Sequence, residues 1–365
     1  RGAGRGGAEA VEVRSPVGGR IQVPWDALIL APGSRPLEIP VFPFDGEKVL
    51  SSNDALSPKS IPDSLLIVGG GVIGCEFASI YASLGTRVIL VEGMSRLLPL
   101  PSVDEECSKV LQREMKKRRI HFHVGKTLLG LDEARGGLRA VVGPSPGEEK
   151  VKQGEPFTVE VEKVLVSVGR RANTDGIGLE EIGIRPMGKE WIAVNGRMET
   201  GAGRIYGIGD ALGPSRPMLA YVASREGMVA AENAMGEKKV MGYDVVPAAI
   251  FTTPEIACVG LTEAQARERG DDVRADTVLF RSLGKPHVIG EIGGMAKIVS
   301  QVGNGRILGI HIVGPHATDL IGEGALALKM GCTVRDLAET VHPHPTLGEI
   351  MMEVSLKALD RGIHG

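Results

Sequence analysis

The sequence lacks the cysteine and histidine patterns that mark metal-binding and disulfide-rich proteins. Its four cysteines are Cys75, Cys107, Cys258 and Cys332, and no two of them form a C-x-x-C or C-x-x-x-x-C pair. This spacing indicates neither a zinc site nor a local redox disulfide, and free cysteines usually pack as small buried thiols. The eight histidines show no metal-ligand spacing either. We therefore predict buried thiols and no metal site.

Strong charge of one sign and long apolar runs are also missing. The formal net charge is −3 over 365 residues, which provides no general attraction to nucleic acid or anionic membranes. No apolar run is long enough to cross a bilayer, and we expect a cytoplasmic protein. The hydrophobic content of 42% is ordinary for globular proteins, and the length suggests two or three domains.

The strongest pattern in the chain lies between residues 65 and 92. Leu65–Val68 form a short apolar run, typical of a strand buried on both faces. Gly69, Gly71 and Gly74 follow it as G-x-G-x-x-G. In a strand–turn–helix unit, these glycines allow a sharp turn, close approach of a pyrophosphate, and tight packing of the helix. The pattern predicts a dinucleotide-binding unit.

The residues that follow complete this unit. We predict a helix from about Val72 to Leu84, whose N-terminal N–H groups favour the negative charge of phosphates. A second strand covers Thr86–Val91, and Glu92 closes it. An acidic residue there can accept hydrogen bonds from ribose hydroxyls and would repel a 2′-phosphate. The cofactor is therefore predicted to be NAD rather than NADP.

The rest of the chain changes from parallel to antiparallel patterns. Ser102 and Glu105 form a predicted capping box that opens a helix. From Val245 onwards we predict an antiparallel sheet followed by helices, so the fold class is α/β, with nucleotide-binding units followed by a sheet-plus-helix domain. The predicted strands of that sheet are Ala248–Gly260, Thr277–Phe280, Ala296–Ser300 and Ile307–Val313.

The segment from His342 to Glu349 reads His-Pro-His-Pro-Thr-Leu-Gly-Glu. His344 precedes Glu349 by five residues, and the prolines shape the turn between them. Such a pair can form a base held by a carboxylate. A capping glutamate beside an ordinary surface histidine explains the spacing equally well.

Taken together, these landmarks resemble the pyridine nucleotide–disulfide oxidoreductases, and most closely the branch that oxidises dihydrolipoamide. The resemblance covers nearly the whole chain. The matching segments, in family order, are Leu28–Pro36, Gly69–Glu76 with Glu92, Val166–Thr174, Tyr206–Asp210, Pro217–Ala220, and His344 with Glu349.

The resemblance implies an α/β fold of FAD/NAD(P)-binding Rossmann-like domains plus a C-terminal α+β dimerisation domain. It implies FAD and NAD as cofactors, with His344 taking the proton of a substrate thiol and Glu349 orienting the imidazole. The implied NAD site comprises Gly69, Gly70, Gly71, Val72, Ile73, Gly74, Cys75, Glu76, Glu92, Leu128 and Gly169. The implied FAD site comprises Pro32, Gly33, Ser34, Asp210, Met218, Leu219, Ala220 and Tyr221.

The chain departs from the family pattern in two ways. Pro32, Tyr221 and Ala172 stand where the family usually has Thr, His and Pro, which affects flavin contacts rather than the chemistry. An FAD-binding strand–GxGxxG–helix and a redox C-x-x-x-x-C segment are both absent. We therefore expect the chain to be the C-terminal part of a longer enzyme.

The family pattern also implies domain boundaries and partners. The expected domains are residues 1–62, a remnant of the FAD-binding domain, 63–172 for NAD, 173–242 returning to the FAD domain, and 243–365 for dimerisation. A homodimer is expected, because in this family the histidine reaches the disulfide of the other subunit. Further expected partners are the lipoyl domains of a 2-oxo acid dehydrogenase or glycine cleavage complex.

Three other functions are compatible with parts of this pattern. A glutathione-type reductase would use NADPH and carry basic residues near Glu92. A mercuric-type reductase would carry a cysteine pair near its C-terminus, whereas the last cysteine here is Cys332. A non-catalytic NAD-binding or assembly fragment would be colourless, whereas the enzyme would show flavin absorbance.

Overall fold

The computed structural model describes residues 10–147, 154–188 and 190–365. They form two compact units, each built from two segments of the chain. The first unit contains the described residues up to Leu37 together with Gly169–Tyr243, and the second contains Glu38–Val168 and Asp244–Gly365. The first nine residues of the expected FAD-domain remnant lie outside the described residues.

The described residues form short strands and helices, and runs of strands follow one another without an intervening helix. The strands are β1 (Ala10–Arg14), β2 (Arg20–Pro24), β3 (Leu28–Leu30), β4 (Ser34–Pro36), β5 (Val49–Leu50), β6 (Ser64–Val68), β7 (Arg87–Glu92), β8 (His121–Val124), β9 (Lys126–Ala134), β10 (Gly137–Pro144), β11 (Phe157–Val161), β12 (Lys163–Val166), β13 (Arg170–Ala172), β14 (Ile205–Gly207), β15 (Ala248–Ile250), β16 (Glu255–Gly260), β17 (Val273–Leu279), β18 (Met295–Gln301) and β19 (Ile307–Gly314). The helices are α1 (Ser52–Ala55), α2 (Val72–Ser83), α3 (Glu105–Lys117), α4 (Ala220–Ala234), α5 (Glu263–Glu268), α6 (Gly284–Ile289), α7 (Ala317–Met330), α8 (Val334–Glu339) and α9 (Glu349–Ala358), with 3-10 turns at Gly209–Leu212 and Phe280–Ser282.

The second unit contains the parallel sheet predicted around the glycine turn. Its strand order is β5-β12-β6-β7-β8, and all of its pairings are parallel. Every residue of β6 is buried, as expected for a parallel strand covered on both faces. The predicted strand, helix and second strand are confirmed, because β6, α2 and β7 follow one another there.

The same unit contains the predicted antiparallel sheet, with strand order β15-β16-β19-β18-β17. Asn304 and Gly305 lie in the loop of residues 302–306 between β18 and β19, and Gly305 has a positive φ of +68°. Helices α7 and α9 pack against the sheet. Their apolar residues share one core with the strands, for example Ile321 and Val354 with Ile310. The α/β fold class is confirmed.

Two local predictions are wrong. Helix α3 begins at Glu105, and its N-cap is Asp104, whose carboxylate accepts from the N–H of Glu106 at 3.0 Å. The predicted capping box from Ser102 therefore does not form. The predicted single strand Ala248–Gly260 is a hairpin of β15 and β16, because Pro254 has no N–H to continue the ladder.

The first unit is smaller and holds short strand pairs. Strands β1 and β2 form an antiparallel hairpin, β3 pairs in parallel with β14, and β4 pairs with β13. The long helix α4 packs beside the 3-10 turn that follows β14. It covers fifteen residues, Ala220–Ala234.

The four cysteines are free thiols, and three of them are buried as predicted. Cys75, Cys107 and Cys258 are buried free thiols, and Cys332 is half-buried. Within the described ranges, the helices are all too short or too polar to cross a membrane. Among the same residues, side chains of His, Cys, Asp and Glu do not come together in groups of three that could hold a metal ion.

A buried lysine joins α3 to the antiparallel sheet. Lys297 on β18 contacts Asp104 at 3.2 Å, Glu263 at 2.8 Å and Glu106 at 3.4 Å. Lys297 and Asp104 are both almost fully buried. Burial acts to lower the pKa of Lys297, but the neighbouring carboxylates outweigh it and raise that pKa. The hydrogen bond from Lys297 lowers the pKa of Glu263.

We predict that Lys297→Met costs about 3–5 kcal/mol in the free energy of unfolding at neutral pH, because it leaves the buried carboxylate of Asp104 without its cation. The pKa values of Asp104 and Glu263 lie below their ordinary values. Such groups stabilise the fold above their unfolded pKa and lose this effect as the pH falls through their folded pKa. The difference in the free energy of unfolding between Lys297→Met and the unmodified protein should therefore shrink below about pH 4. Denaturant unfolding of both proteins at several pH values would measure it, and a constant deficit would contradict this assignment.

Candidate nucleotide and catalytic sites

The glycine turn between β6 and α2 has the geometry that the sequence predicts. Gly69 has a φ of +105°, and a Cβ added there would lie 2.5 Å from the carbonyl oxygen of Ser167. A Cβ added at Gly74 would lie 1.8 Å from the carbonyl oxygen of Gly69, so the helix packs directly on the turn. A Cβ at Gly71 would meet no atom within 4 Å. The backbone of Gly71 is therefore open to a ligand.

The N-terminus of α2 fits the pyrophosphate of a dinucleotide. Gly71 is its N-cap, and no side chain caps the first turn, so N–H groups remain to bind an anion. Val72 and Ile73 are half-buried in this turn. Cys75 is buried, and its thiol donates to the carbonyl oxygen of Gly70 at 3.3 Å.

Glu92 has a role that the sequence did not indicate. It is 7% exposed. Its two oxygens accept from the backbone N–H of Gly70 at 2.6 Å and of Met94 at 2.7 Å. The carboxylate thus holds the glycine turn itself. Since each carboxylate oxygen has two lone pairs, it can accept further bonds from ribose hydroxyls.

The other residues predicted for the NAD site lie in different surroundings. Glu76 on α2 accepts from the backbone N–H of Phe251 at 2.9 Å, and burial raises the pKa of Glu76. Leu128 on β9 is buried in the core of the second unit. Gly169 belongs to the first unit, where its φ is +149° and its carbonyl oxygen accepts from the N–H of Leu37.

In the first unit, the side chains of Ser34 and Arg170 lie beside Asp210, the residue predicted to bind the flavin. The Ser34 hydroxyl donates to Asp210 at 2.6 Å, and Arg170 donates through Nε to the same hydroxyl at 2.6 Å. Arg170 Nε lies 3.7 Å from Asp210. Asp210 follows β14 and remains partly exposed, so its second oxygen can accept a ligand hydroxyl. Arg170 was missed by the sequence prediction.

The neighbouring flavin candidates form two short segments of the first unit. The carbonyl oxygens of Pro32 and Gly33 accept from Asn173, through its side chain at 3.1 Å and its backbone N–H at 3.0 Å. Leu219 is the N-cap of α4, and no side-chain hydrogen bond caps this helix. The other candidates flank that N-cap: Met218, Ala220 and Tyr221.

A buried glutamate on α4 positions the turn that carries Asp210. Glu226 is 1% exposed, and one of its oxygens accepts from the N–H of Gly209 at 2.7 Å. The other accepts from the Tyr243 hydroxyl at 2.5 Å, and Arg216 donates to that hydroxyl at 2.7 Å. Burial, with the carboxylate of Glu226, raises the pKa of Tyr243 to about 12. The sequence contained no local signal for this cluster.

His344 and Glu349 form the predicted pair in the second unit. Nδ1 of His344 lies 2.9 Å from one oxygen of Glu349, and the other oxygen accepts from the N–H of Thr346 at 2.9 Å. The imidazole is 72% exposed, whereas the Glu349 side chain is 9% exposed. Burial acts to raise the pKa of Glu349, but the bonds from His344 and Thr346 outweigh it and lower that pKa. The pair is therefore an exposed base held by a buried carboxylate.

A second histidine–glutamate pair lies beside the first. Nε2 of His342 is 3.0 Å from Glu323 on α7, and its Nδ1 is 2.9 Å from the carbonyl oxygen of Thr340. Both ring nitrogens are thus engaged, and the side chain is buried. The sequence did not indicate a role for His342, because its partner Glu323 lies on another helix.

The glycine turn supports a matched pair of substitutions. Gly74→Ala should cost about 3 kcal/mol or more in stability, because its Cβ would overlap a backbone carbonyl that cannot move freely. Gly71→Ala should leave the melting temperature nearly unchanged, since its Cβ has room. It should weaken NADH binding at least about tenfold by separating the backbone from the pyrophosphate. Thermal unfolding and NADH titration would measure both, and unchanged NADH affinity in Gly71→Ala would contradict the site.

Comparison with known proteins agrees with this geometry. Residues 5–227 match the family model described as pyridine nucleotide-disulphide oxidoreductase, and residues 246–355 match its dimerisation domain. A dihydrolipoyl dehydrogenase from Thermus scotoductus is 40% identical over 339 residues, which are 93% of this chain and 71% of the relative. One from Haloferax volcanii is 38% identical over 342 residues, covering 94% and 70%. The crystal structure of LpdA from Mycobacterium tuberculosis superposes with a TM-score of 0.85 at 28% identity, covering 95% of this chain and 72% of LpdA. The chain therefore belongs to the pyridine nucleotide–disulphide oxidoreductases, and its cofactors are FAD and NAD.

Proposed function

We propose that this chain belongs to an enzyme that oxidises dihydrolipoamide to lipoamide and reduces NAD. The observation that carries the proposal is the exposed imidazole of His344, held at Nδ1 by the buried carboxylate of Glu349. The relatives from Thermus scotoductus and Haloferax volcanii, named dihydrolipoyl dehydrogenases, support the choice of substrate.

His344 would act as the base for the substrate thiol. Its Nδ1 is bound to Glu349, so Nε2 is the nitrogen that takes the proton. A thiolate, not a thiol, is the nucleophile in disulfide exchange. Glu349 would fix the ring orientation and stabilise the imidazolium that forms. The N–H of Thr346 keeps the carboxylate in place during this transfer.

The cofactors would be held by the two groups of residues described above. When bound, FAD accepts electrons from the dithiol–disulfide couple and NAD accepts them as hydride. Asp210 and Ser34 would bind the flavin side. The N-terminus of α2 would bind the NAD pyrophosphate, and Glu92 would bind its ribose. The position that closes β7 holds the acidic Glu92 and not a basic residue that would select NADPH. This disfavours a glutathione-type reductase.

The family and its dimerisation domain also suggest how the enzyme is assembled. We propose a homodimer joined through residues 243–365, in which His344 serves the disulfide of the other subunit. The domain boundaries near residues 62, 172 and 242 stay a prediction. So do a cytoplasmic location and docking to the lipoyl domains of a 2-oxo acid dehydrogenase or glycine cleavage complex.

The catalytic pair can be tested by substitution in the enzyme that carries the redox disulfide. His344→Gln should reduce the dihydrolipoamide reaction by about 10²–10⁴-fold, the usual contribution of a positioned base. Glu349→Gln should cost less, and the two losses should not add, because the residues act together. NADH oxidation by a dye that takes electrons from the flavin should be largely spared. An equal loss in the dye assay would contradict the role of His344.

The proposal that His344 serves the disulfide of the other subunit can be tested separately. Subunits carrying His344→Gln should be mixed with subunits whose redox disulfide is disabled, each inactive alone. If the histidine works across the dimer interface, the hybrid regains one active site. Hybrids that form but stay inactive would disprove this arrangement.

Glu92 provides a test of cofactor choice. The unmodified enzyme should prefer NAD strongly over NADP, because the carboxylate repels a 2′-phosphate. Glu92→Arg should shift the ratio of the two kcat/KM values towards NADP. Glu92→Gln is the matched control, since it removes the charge but adds no cation. Equal kcat/KM values for both cofactors in the unmodified enzyme would contradict the assignment.

A further inference from the structure

The orientation of His344 depends mainly on the backbone that carries it. Its imidazole is 72% exposed, and in the described part of the chain its ring makes one hydrogen bond, to Glu349 at 2.9 Å. This backbone is the segment of residues 340–348, which connects α8 to α9 and which we call the α8–α9 loop. Whatever fixes this loop therefore also fixes the position of the base.

The hydrogen bonds around His344 shape the α8–α9 loop only locally. The hydroxyl of Thr346 donates to the carbonyl oxygen of Pro343 at 2.7 Å, and its N–H donates to Glu349 at 2.9 Å. Both bonds join residues three positions apart in the sequence. They close the turn, but a contact with another element is needed to hold the loop against the sheet.

His342 provides such a contact, because it is the buried histidine of the loop. Its side chain is 6% exposed. Its Nδ1 lies 2.9 Å from the carbonyl oxygen of Thr340, the C-cap of α8, and must carry hydrogen because a carbonyl oxygen only accepts. Its Nε2 lies 3.0 Å from the carboxylate of Glu323, with a second hydrogen between the two atoms. The ring therefore joins the end of α8 to α7.

Helix α7 is a firm support for this bond. A Cβ added at Gly324, the residue after Glu323, would lie 3.1 Å from Cδ1 of Ile310 on β19. Ile321 and Ala327 of the same helix are buried in the core that it shares with the sheet. Since close-packed elements do not shift freely, a hydrogen bond to Glu323 fixes His342 relative to the sheet.

The ring of His342 also lies beside the start of α9. A Cβ added at Gly348 would lie 3.7 Å from Cδ2 of His342, an ordinary van der Waals distance. Gly348 is the N-cap of α9 and directly precedes Glu349. One buried imidazole thus bonds to the end of α8 and to α7, and it lies beside the residue before the carboxylate that holds His344.

We propose that His342, bound to Glu323, is a positioning residue for His344. It holds the α8–α9 loop in the one place where the imidazole of His344 and the carboxylate of Glu349 can serve the substrate thiol. This inference rests on the proposed function, since it assigns a role relative to the base of that reaction. Misplacing a catalytic group by about 1 Å can lower a rate about a hundredfold, so a group that only holds the loop can matter for turnover.

The test uses the enzyme that carries the redox disulfide, with kcat and KM measured for dihydrolipoamide. His342→Phe keeps a buried ring but removes both hydrogen bonds, and Glu323→Ala removes one of them. Each should lower kcat about 10- to 100-fold. KM should change little, because a misplaced base weakens the transition state rather than substrate binding. If His342→Phe does not fold, Glu323→Ala, which replaces a side chain that is 34% exposed, still decides the proposal.

Two comparisons separate positioning from a general loss of structure. Asp319→Ala is the matched control, because Asp319 is another carboxylate of α7 that contacts a histidine, His316 at 3.3 Å, and both side chains are exposed. It should leave kcat unchanged. In an enzyme that already carries His344→Gln, His342→Phe should cause no further loss, because it acts through that base. NADH oxidation by the flavin-reducible dye should be spared in all of these variants.

The outcomes distinguish this inference from the proposed function. If His344→Gln leaves the dihydrolipoamide reaction intact, the proposed function fails. If His344→Gln is costly but His342→Phe and Glu323→Ala leave kcat unchanged, only the positioning role fails. That role is also overturned if the loss in His342→Phe multiplies with that of His344→Gln, if it appears equally in the dye assay, or if Asp319→Ala causes the same loss.

Discussion

The contact between α2 and the turn before it constrains the nucleotide-binding part of this protein. A single methyl group on Gly74 would lie 1.8 Å from the carbonyl oxygen of Gly69, so the helix can take its position only when residue 74 lacks a side chain. In that position the N-terminus of α2 has no side-chain cap, and the backbone of its N-cap residue, Gly71, is open to a ligand. The anion-binding property of the turn thus follows from close packing rather than from any charged side chain.

Three buried carboxylates hold the functional turns in the same way, because each accepts a hydrogen bond from a backbone N–H group of its turn. Glu92 accepts from the N–H of Gly70, Glu226 from that of Gly209, and Glu349 from that of Thr346. Hydrogen bonds to a charged group contribute about 1.5–3 kcal/mol each, and losing one would leave a buried charge unsatisfied. Each carboxylate also has a second oxygen with its own partner. Each turn is therefore fixed by a carboxylate that also binds a second group: the N–H of Met94, the Tyr243 hydroxyl or the His344 imidazole.

These three glutamates differ in whether the sequence alone could predict that they are functional. Glu92 and Glu349 were predicted because each lies within a local pattern, a strand end or a histidine-containing turn. Even there the backbone bonds went unnoticed, since spacing says nothing about which N–H a carboxylate faces. Glu226 lies in the middle of a helix, where nothing in the sequence distinguishes it from a solvent-exposed residue. Only the fold brings it to Gly209.

The prediction of strands and helices was limited in the same way, because local patterns do not reveal long-range contacts. The strand, glycine turn, helix and second strand around Gly69 were predicted because short-range periodicity determines them. The start of α3 was misplaced because Asp104 caps the helix while it also binds Lys297 from the distant sheet. Cys107 and Cys258, far apart in the sequence, enter one buried core only when α3 packs on the sheet. The contact of Lys297 with Asp104 joins the same two elements, so this part of the core depends on a long-range ion pair that no local pattern in the sequence reveals.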